Sequence, residues 1–405
     1  MQKFIFKAKK PSGEVYSDKM EAEDRFEMYN LIKSRGEEVV SVEEVKISKG
    51  LNMNIDIGFL KKVKVPEKIA FARNLGAMLE AGLSLMKAIS VIERQSKSAK
   101  LKSVLTDISE EIDRGVTFAK ALEKHKKVFP QVFISMVHAG EQGGTLPEAL
   151  KAIATQMDSN YKLEKRIKGA MTYPAVIVAV MIIVGVLMFI FVVPSLMQTF
   201  MELNVELPAT TRFVLLISNI VRDHGLVALL VLIALFIGIR FWSKQASGKL
   251  IIHEFILRIP LIGELAKEVN SARTARTLSS LLSSGVAVME SLDITAEVIQ
   301  NVHFRKVLVK AKETIQKGKQ MSGVFAESEK YYPIFFAEMM NVGEETGRVS
   351  KMLTNVAHFY EDDVEQKTKD MSTVIEPFLI VFIGAAVGFF AISMISPMYS
   401  LVNAI

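Results

Sequence analysis

Three long apolar runs stand out from a chain whose other helical patterns are amphipathic. The first has no charged residue, the second carries only Arg240 near one end, and the third is uncharged to the C-terminus. A helix needs about 20 apolar residues to cross a bilayer. A buried core helix is the competing interpretation, and it is less favoured for the first and third runs than for the second. We therefore predict three transmembrane helices, at residues 173–196, 224–242 and 374–401.

Basic residues flank these runs unevenly. Lysines and arginines cluster just before the first run, between 162 and 168, whereas the segment 195–224 holds only Arg212 and Arg222. Lysines also follow the second run and precede the third. Because cytoplasmic flanks carry the excess of Lys and Arg, we expect a cytoplasmic N-terminus. The segment 195–224 and the C-terminus are then external, which in a Gram-negative cell means periplasmic.

The chain contains an internal repeat. Residues 71–194 align with residues 274–397 without a gap, at a constant offset of 203 positions. Each copy ends on an apolar run, and the second run returns the chain to the cytoplasm, so the repeat is parallel rather than inverted. The identical pairs include Ala72-Arg73 with Ala275-Arg276, Gly82 with Gly285, Pro130 with Pro333, Gly140-Glu141 with Gly343-Glu344, and Gly144 with Gly347.

Within each copy the apolar residues recur at spacings of three and four, which is typical of amphipathic helices. In the first copy this pattern predicts about six helices. They cover 69–79, 85–92, 101–112, 118–122, 132–139 and 146–161.

The N-terminal segment has a different pattern. Residues 3–8 alternate and lead through Pro11-Ser12-Gly13 to a possible return strand, which predicts a hairpin. A helix over 22–33 and a strand over 39–45 complete a small α+β segment.

The predicted fold class is an all-α membrane protein with two homologous cytoplasmic six-helix bundles, three transmembrane helices and this α+β segment. The predicted domain boundaries are an N-terminal segment at 1–47, a linker at 48–65, a first helical domain at 66–172, an external loop at 197–223 and a second helical domain at 243–373.

Composition narrows the possible chemistry. The 405 residues are 50% hydrophobic and 23% charged, and none is cysteine, which excludes disulfides and thiolate metal sites. The net charge of +6 fits cytoplasmic loops of a membrane protein. Basic residues alternate with acidic ones almost everywhere, so we expect no binding to nucleic acid.

Catalytic signatures are absent from the sequence. It has no G-x-x-x-x-G-K-[ST] phosphate loop, and its six histidines show no metal-ligand spacing. We therefore expect no enzymatic activity, no cofactor and no metal site. The predicted spans also lack the ionisable residues of ion pathways, which argues against a pump.

The repeated G-E-x-x-G element is the most specific motif. It consists of Gly140, Glu141 and Gly144 in the first copy, and Gly343, Glu344 and Gly347 in the second. The glycines suit a tight turn between helices, and the carboxylate suits free amides at the start of the next helix. This structural role is favoured. The alternatives are a partner contact or a cation site.

Other candidate residues recur at matching positions. Arg73 and Arg276 lie on the first helix of each copy, where we expect an ion pair within the bundle, with docking to a partner as the alternative. Small residues four apart let membrane helices approach closely. The candidates for packing of the membrane helices are Gly185, Glu376, Pro377, Gly384 and Gly388.

Taken together, the motifs resemble the inner-membrane platform family of type II secretion and type IV pilus assembly, the type II secretion F family. The resemblance covers nearly the whole chain and rests on the paired motifs above and on several proline-containing pairs. Asn74, Thr277 and Gln142-Gly143 depart from the usual family pattern. The proline-containing pairs are Phe129-Pro130, Tyr332-Pro333, Tyr173-Pro174, Val193-Pro194, Leu207-Pro208 with Thr211, and Glu376-Pro377.

The resemblance implies a non-enzymatic platform that couples a cytoplasmic hexameric assembly or retraction ATPase to pilin or pseudopilin subunits. It also implies contacts with other inner-membrane assembly proteins and membrane lipid, and a tendency to form homo-oligomers. A permease-like subunit of an ATP-driven transporter is the alternative, since it would also lack a phosphate loop. A membrane-bound enzyme is a third reading, and it would need a catalytic constellation.

Overall fold

The computed structural model of the protein describes residues 2–9, 15–22, 25–34, 36–44, 62–202, 208–243 and 245–402. It separates into two compact units, Met1–Phe59 and Leu60–Ile405. Helices dominate and strands are few, which confirms the predicted helical class in outline.

The described residues of the N-terminal unit form a three-stranded antiparallel sheet and one helix. Its elements are β1 (Gln2–Lys9), β2 (Val15–Ala22), α1 (Arg25–Ser34) and β3 (Glu38–Glu44), and the strand order is β2-β1-β3. Its small core is built by Phe6, Ala8, Ala22 and Ile32.

The predicted hairpin, helix and third strand of this unit are therefore present. Helix α1 begins at Arg25 rather than at Ala22, because Ala22 pairs with Gln2 at the end of β2. The predicted hairpin turn at 11–13 lies outside the described residues. So does most of the predicted linker at 48–65.

The first copy of the repeat is a helical bundle with one continuous core. Local signals begin its helices: Pro66 lies in the first turn of α2, and the Glu67 carboxylate accepts the Lys64 N–H at 2.9 Å. The Ser98 hydroxyl accepts the Leu101 N–H and caps α4. The elements are α2 (Val65–Glu80), α3 (Leu85–Gln95), α4 (Ala99–Asp113), α5 (Phe118–Glu123), α6 (Gln131–Gln142) and α7 (Leu146–Leu187).

The second copy repeats this order around its own core. It is preceded by α11 (Ala246–Arg258), which packs on α12 and α14. Asn301 caps α14 through the His303 N–H at 2.9 Å, at the position equivalent to Ser98. The repeated elements are α12 (Ile262–Ser283), α13 (Val288–Val298), α14 (Val302–Gln316), α15 (Ser322–Ala326), α16 (Ile334–Thr346) and α17 (Val349–Val402).

An ion-pair cluster joins α11 to the second copy. The Lys330 ammonium donates to the Glu254 carboxylate at 2.6 Å, and Arg258 lies 3.3 Å from the same oxygen. The hydrogen bond from Lys330 is the main cause that lowers the pKa of Glu254 below its ordinary value.

The helices α7 and α17 run from the bundles into apolar segments without a break. The predicted boundaries at 172 and 373 therefore fall inside helices. After α7 a π turn (Met188–Val192) leads directly into α8 (Val193–Glu202). A helix rises 1.5 Å per residue, so the 42 residues of α7 measure about 63 Å and the 54 residues of α17 about 81 Å.

Within the described residues, two helical stretches are long and apolar enough to cross a membrane, Leu146–Leu196 and Val349–Ile395. In the most apolar window of each stretch, only 6% and 11% of the residues are buried within the chain. These windows are therefore not core helices of a soluble bundle. The second predicted span forms α10 (Gly225–Trp242). Its part Ile233–Trp242 is apolar but shorter than a membrane span. The count of three spans stays a prediction.

The segment predicted as an external loop at 197–223 is largely helical. Helix α8 extends to Glu202, and α9 (Ala209–Asp223) follows after residues 203–207, which lie outside the described part. Helix α9 has an apolar face that packs on the π turn and on α17. No helix is predicted here from the sequence, and a packed apolar face stabilises one. The external location of this segment stays a prediction.

Candidate functional site: repeated Gly-Glu turns and an apolar membrane groove

The carboxylate of the Gly-Glu turn caps a short helix in both copies. Glu141 accepts the N–H groups of Phe118 and Ala119 at 2.8 and 3.1 Å. At the equivalent place in the second copy, Glu344 accepts the N–H groups of Met321 and Ser322 at 2.8 and 3.0 Å. These bonds supply a negative charge to the N-terminal end of α5 and α15, where the helix dipole favours it.

The capped amides lie 23 and 22 residues before the glutamate. They are therefore not the amides at the start of the following helix, which the sequence motif predicts as the partners. The fold decides otherwise because the end of α6 packs beside the start of α5. A carboxylate that projects from the end of α6 therefore meets amides of an earlier helix.

The first glycine of each turn allows two helices to cross closely. A Cβ atom on Gly140 would lie 2.5 Å from the Cβ of Ala149, and one on Gly343 would lie 2.9 Å from the Cα of Val349. The last glycine, at 144 and 347, adopts φ values of +67° and +68°. This left-handed conformation favours glycine. All three motif positions thus have an internal structural use in each copy.

The paired arginines form ion pairs of unequal burial. Arg276 binds the Glu361 carboxylate through Nε and Nη2, at 2.8 and 2.7 Å, and its side chain is only 6% exposed. Arg73 lies 3.7 Å from Asp158, with 61% of its side chain exposed. Asp158 and Glu361 are themselves 203 positions apart, so both partners of the pair are duplicated. Whether either arginine contacts a partner protein stays a prediction.

The glycines predicted to pack membrane helices have no close neighbours among the residues that the structure describes. A Cβ atom added to Gly185, Gly384 or Gly388 would find no atom within 4 Å. Glu376 and Pro377 are exposed on α17, and the helix continues through both of them. A role in packing between chains stays a prediction for these five positions.

An apolar groove lies among the membrane-facing helices. It is formed by α7, the π turn, α9 and α17, and its volume is about 580 Å³. Every side chain that lines it is apolar. They include Val180, Val184, Phe213, Ile217, Val387 and Phe390. Gly185 of α7 also lines the groove.

Two buried hydroxyls fix α9 against this groove. Thr211 donates to the Ser393 carbonyl of α17 at 2.5 Å, and Ser218 donates to the Phe189 carbonyl of the π turn at 2.7 Å. The sequence reasoning noted Thr211 only as part of a proline-containing motif and missed Ser218. The signal that would have found both is the apolar face of α9, on which both hydroxyls lie.

No three His, Asp or Glu side chains converge as a metal site in the part of the chain that the structure describes. Asp158 pairs with Lys162 at 2.9 Å and with Arg73. A cation site at the Gly-Glu turns stays a prediction.

Comparison with known proteins agrees with the repeat. The profile of the family described as type II secretion system (T2SS), protein F, matches residues 71–194 and again residues 274–397. The chain is similar to type IV pilus assembly protein PilC of Thermus thermophilus, with 33% identity over 100% of this chain and 99% of that protein. PilC of Myxococcus xanthus is 32% identical over 99% of this chain and 95% of that protein.

A secretion protein is similar over the same length. Type II secretion system protein F of Pseudomonas aeruginosa is 28% identical over 99% of both chains. The residues that the family profile matches are those that the internal repeat delimits. They include both Gly-Glu turns, all of α7 and α17 as far as residue 397. The chain therefore belongs to the type II secretion system protein F family.

Proposed function

We propose that the chain is the inner-membrane platform of a type IV pilus or a type II secretion machine. In this role it couples a cytoplasmic hexameric ATPase to the insertion of pilin or pseudopilin subunits into a filament. The full-length similarity to two pilus assembly proteins carries the proposal. The chain acts as a mechanical adaptor and has no catalysis of its own.

Continuous helices support a mechanical role. Helix α7 belongs to the first bundle at its start and to the apolar groove at its end, and α17 does the same for the second bundle. A packed helix resists bending, so a displacement of either bundle moves the membrane segment attached to it. In the proposed orientation the bundles lie in the cytoplasm, where an ATPase reaches them.

The apolar groove suits a hydrophobic helix. It offers no hydrogen-bonding side chain, which matches a segment whose backbone groups are already satisfied internally. We assign the groove to the membrane segment of a pilin or pseudopilin subunit during insertion.

Adjacent alanines on α17 provide a matched test of the groove. Ala386 lines it, whereas the neighbouring Ala385 is exposed and does not. Ala386→Phe is expected to abolish filaments or secretion at unchanged protein level in the membrane, while Ala385→Phe retains both. Equal activity of the two variants would contradict the assignment of the groove.

Gene deletion tests the function as a whole. Surface filaments and exoprotein secretion are scored in the same strain. Loss of filaments with intact secretion identifies a pilus platform, and the reverse identifies a secretion platform. Survival of both, without a paralogue to substitute, refutes the proposal and favours the permease-like alternative, which a transport assay on the purified protein would then test.

A further inference from the structure

Equivalent faces of the two copies are buried to different extents. On α12, Thr277 is fully buried, whereas Asn74 at the equivalent position of α2 is exposed. One turn before, Arg273 is half-buried and its equivalent Ala70 is exposed. Within the described residues from 62 onward, the second copy therefore has a cover on this face that the first copy lacks.

The cover is the first copy itself. Helices α6 and α7 pack on α12 and α13, and Leu281, Val286 and Ile294 of the second copy join the first copy's hydrophobic core. Gln156 of α7 lines a cleft of about 320 Å³ together with Arg273. We call the α6–α7 side of this contact the convex surface, and the α12–α13 side the receiving surface.

The second copy has its own convex surface, on α16 and α17, and no described residue from 62 onward covers it. Gln156 is 4% exposed in the internal contact, yet its equivalent is Phe359, which is 51% exposed. Val342, the equivalent of the half-buried Ala139, is 42% exposed. Phe335 packs on Phe359 with ring centroids 4.7 Å apart. At these equivalent positions the glutamine is buried and the phenylalanine is exposed, which is the reverse of what an isolated chain favours. A cluster of exposed apolar side chains indicates an interaction surface.

The first copy likewise has a receiving surface, on α2 and α3, that is uncovered among the described residues from 62 onward. It presents small side chains, Ala70 and Ala77, which are exposed, beside the partly buried Met78 and Leu83. Small residues leave room for a bulky partner. Gln156 and Arg273 line one cleft inside the chain. A contact between chains that repeated the internal one would place Phe359 of one chain beside Ala70 of another.

Charge is also complementary across the transferred contact. Inside the chain, Gln142 of α6 and Glu290 of α13 line one cleft. Their equivalents are Glu345 on the uncovered convex surface and Lys87 on the uncovered receiving surface, and both are exposed. The intermolecular version of the contact thus brings a carboxylate toward an ammonium group.

We propose that a second copy of this chain occupies these surfaces and repeats the internal contact head to tail, with α16 and α17 of one chain on α2 and α3 of the next. The two surfaces differ, so the association is heterologous. It forms a ring if the rotation from each chain to the next adds up to a full turn. Both copies continue into membrane helices from the same end, which keeps successive chains in the plane of the membrane.

The absence of cysteine permits a clean crosslinking test on the full-length protein in membranes. Two differently tagged chains, one with Ala70→Cys and one with Phe359→Cys, are coexpressed and treated with a short bismaleimide. A crosslinked dimer is expected for the mixture and for neither chain alone. Lys120→Cys, exposed on α5, replaces Ala70→Cys in the control and should give no dimer.

Two outcomes overturn the proposal. A dimer formed by Phe359→Cys chains alone would indicate a twofold contact rather than a head-to-tail one. A yield from the mixture no higher than that of the control would show that the surfaces do not meet.

Charge reversal tests the register of the contact. Lys87→Glu and Glu345→Lys are each expected to lower the yield of the Ala70–Phe359 crosslink about two- to fivefold, as for an exposed ion pair. The two reversals in one chain should restore the yield, and Lys120→Glu should leave it unchanged. Equal yields in all of these chains would overturn the proposed register.

Discussion

The capping carboxylates give the sharpest test of how the Gly-Glu turn works. Glu141→Ala removes both acceptors from the amides of Phe118 and Ala119, which then have no partner within the fold. A structural cap and a partner-binding carboxylate predict different results for this change. The cap predicts local opening of α5, whereas a pure partner contact leaves α5 intact.

The expected magnitude follows from the two hydrogen bonds. A bond to a charged group contributes about 1.5–3 kcal/mol, and loss of a cap costs about 0.5–2 kcal/mol. Because Glu141 is only half-buried, we expect about 2–3 kcal/mol for the pair. That free energy corresponds to about 30- to 150-fold faster exchange of the two amide protons. Glu141→Gln keeps one acceptor oxygen without the charge, so roughly half of the free energy should be lost.

Hydrogen exchange followed by mass spectrometry on the full-length protein measures this effect directly, on peptides that cover residues 116–124. Glu344→Ala should give the same acceleration around Met321 and Ser322. Glu123→Ala is the matched control, since Glu123 is exposed at the other end of α5. Its removal should leave the exchange unchanged.

One result would refute the reasoning. If Glu141→Ala abolishes filament assembly or secretion while exchange of the α5 amides stays at the level of the parent protein, the carboxylate acts on a partner and not as a cap. Faster exchange with retained assembly would instead identify a purely structural residue.

Three further predictions concern stability, each measured by thermal unfolding of the purified full-length protein. Arg276→Ala should destabilise by about 2–4 kcal/mol, because it removes the guanidinium partner of the Glu361 carboxylate, which is only 13% exposed. Arg73→Ala should change stability by less than about 1 kcal/mol, and equal effects would contradict the difference in burial. Gly140→Ala should destabilise by about 1–3 kcal/mol through overpacking. Gly169→Ala, with open space around it, should stabilise by about 0.5–1 kcal/mol. A stabilising change at both positions would show that α6 and α7 do not cross closely at Gly140. The pKa of Glu254 is lowered in the folded protein, so the stabilisation from its ion pair is present above the unfolded-state pKa and is lost as pH falls through the folded-state pKa. Glu254→Gln should therefore flatten the acid side of the plot of melting temperature against pH. An unchanged plot would count against this ion pair.

Part of the site was predictable from residue pattern alone. The repeat, the Gly-Glu turns and the pairing of Arg73 with Arg276 as equivalent positions follow from identities at a fixed offset. The α5 cap is different, because Glu141 and Phe118 are far apart along the chain. Residue spacing within one helix or turn carries no information about which distant amides a side chain will meet.

Helix α9 illustrates a second limit. It lies in the segment that is predicted from the topology of the spans as an external loop, and no helix is predicted there. In the fold its apolar face packs on the π turn and α17, and Thr211 and Ser218 donate to carbonyls of those elements. Helix formation there depends on a partner surface that is remote in sequence.

The sequence by itself determined the duplicated helical unit, the two long apolar segments and the family. These depend on periodicity, length and repeated motifs, which are local properties of a chain. Only the tertiary structure decided which amides Glu141 and Glu344 cap, why Arg276 is buried while Arg73 is exposed, and where the apolar groove lies. Burial and capping are set by the packing of helices that are distant in sequence. Two copies with the same local pattern can therefore differ wherever one of them covers the other.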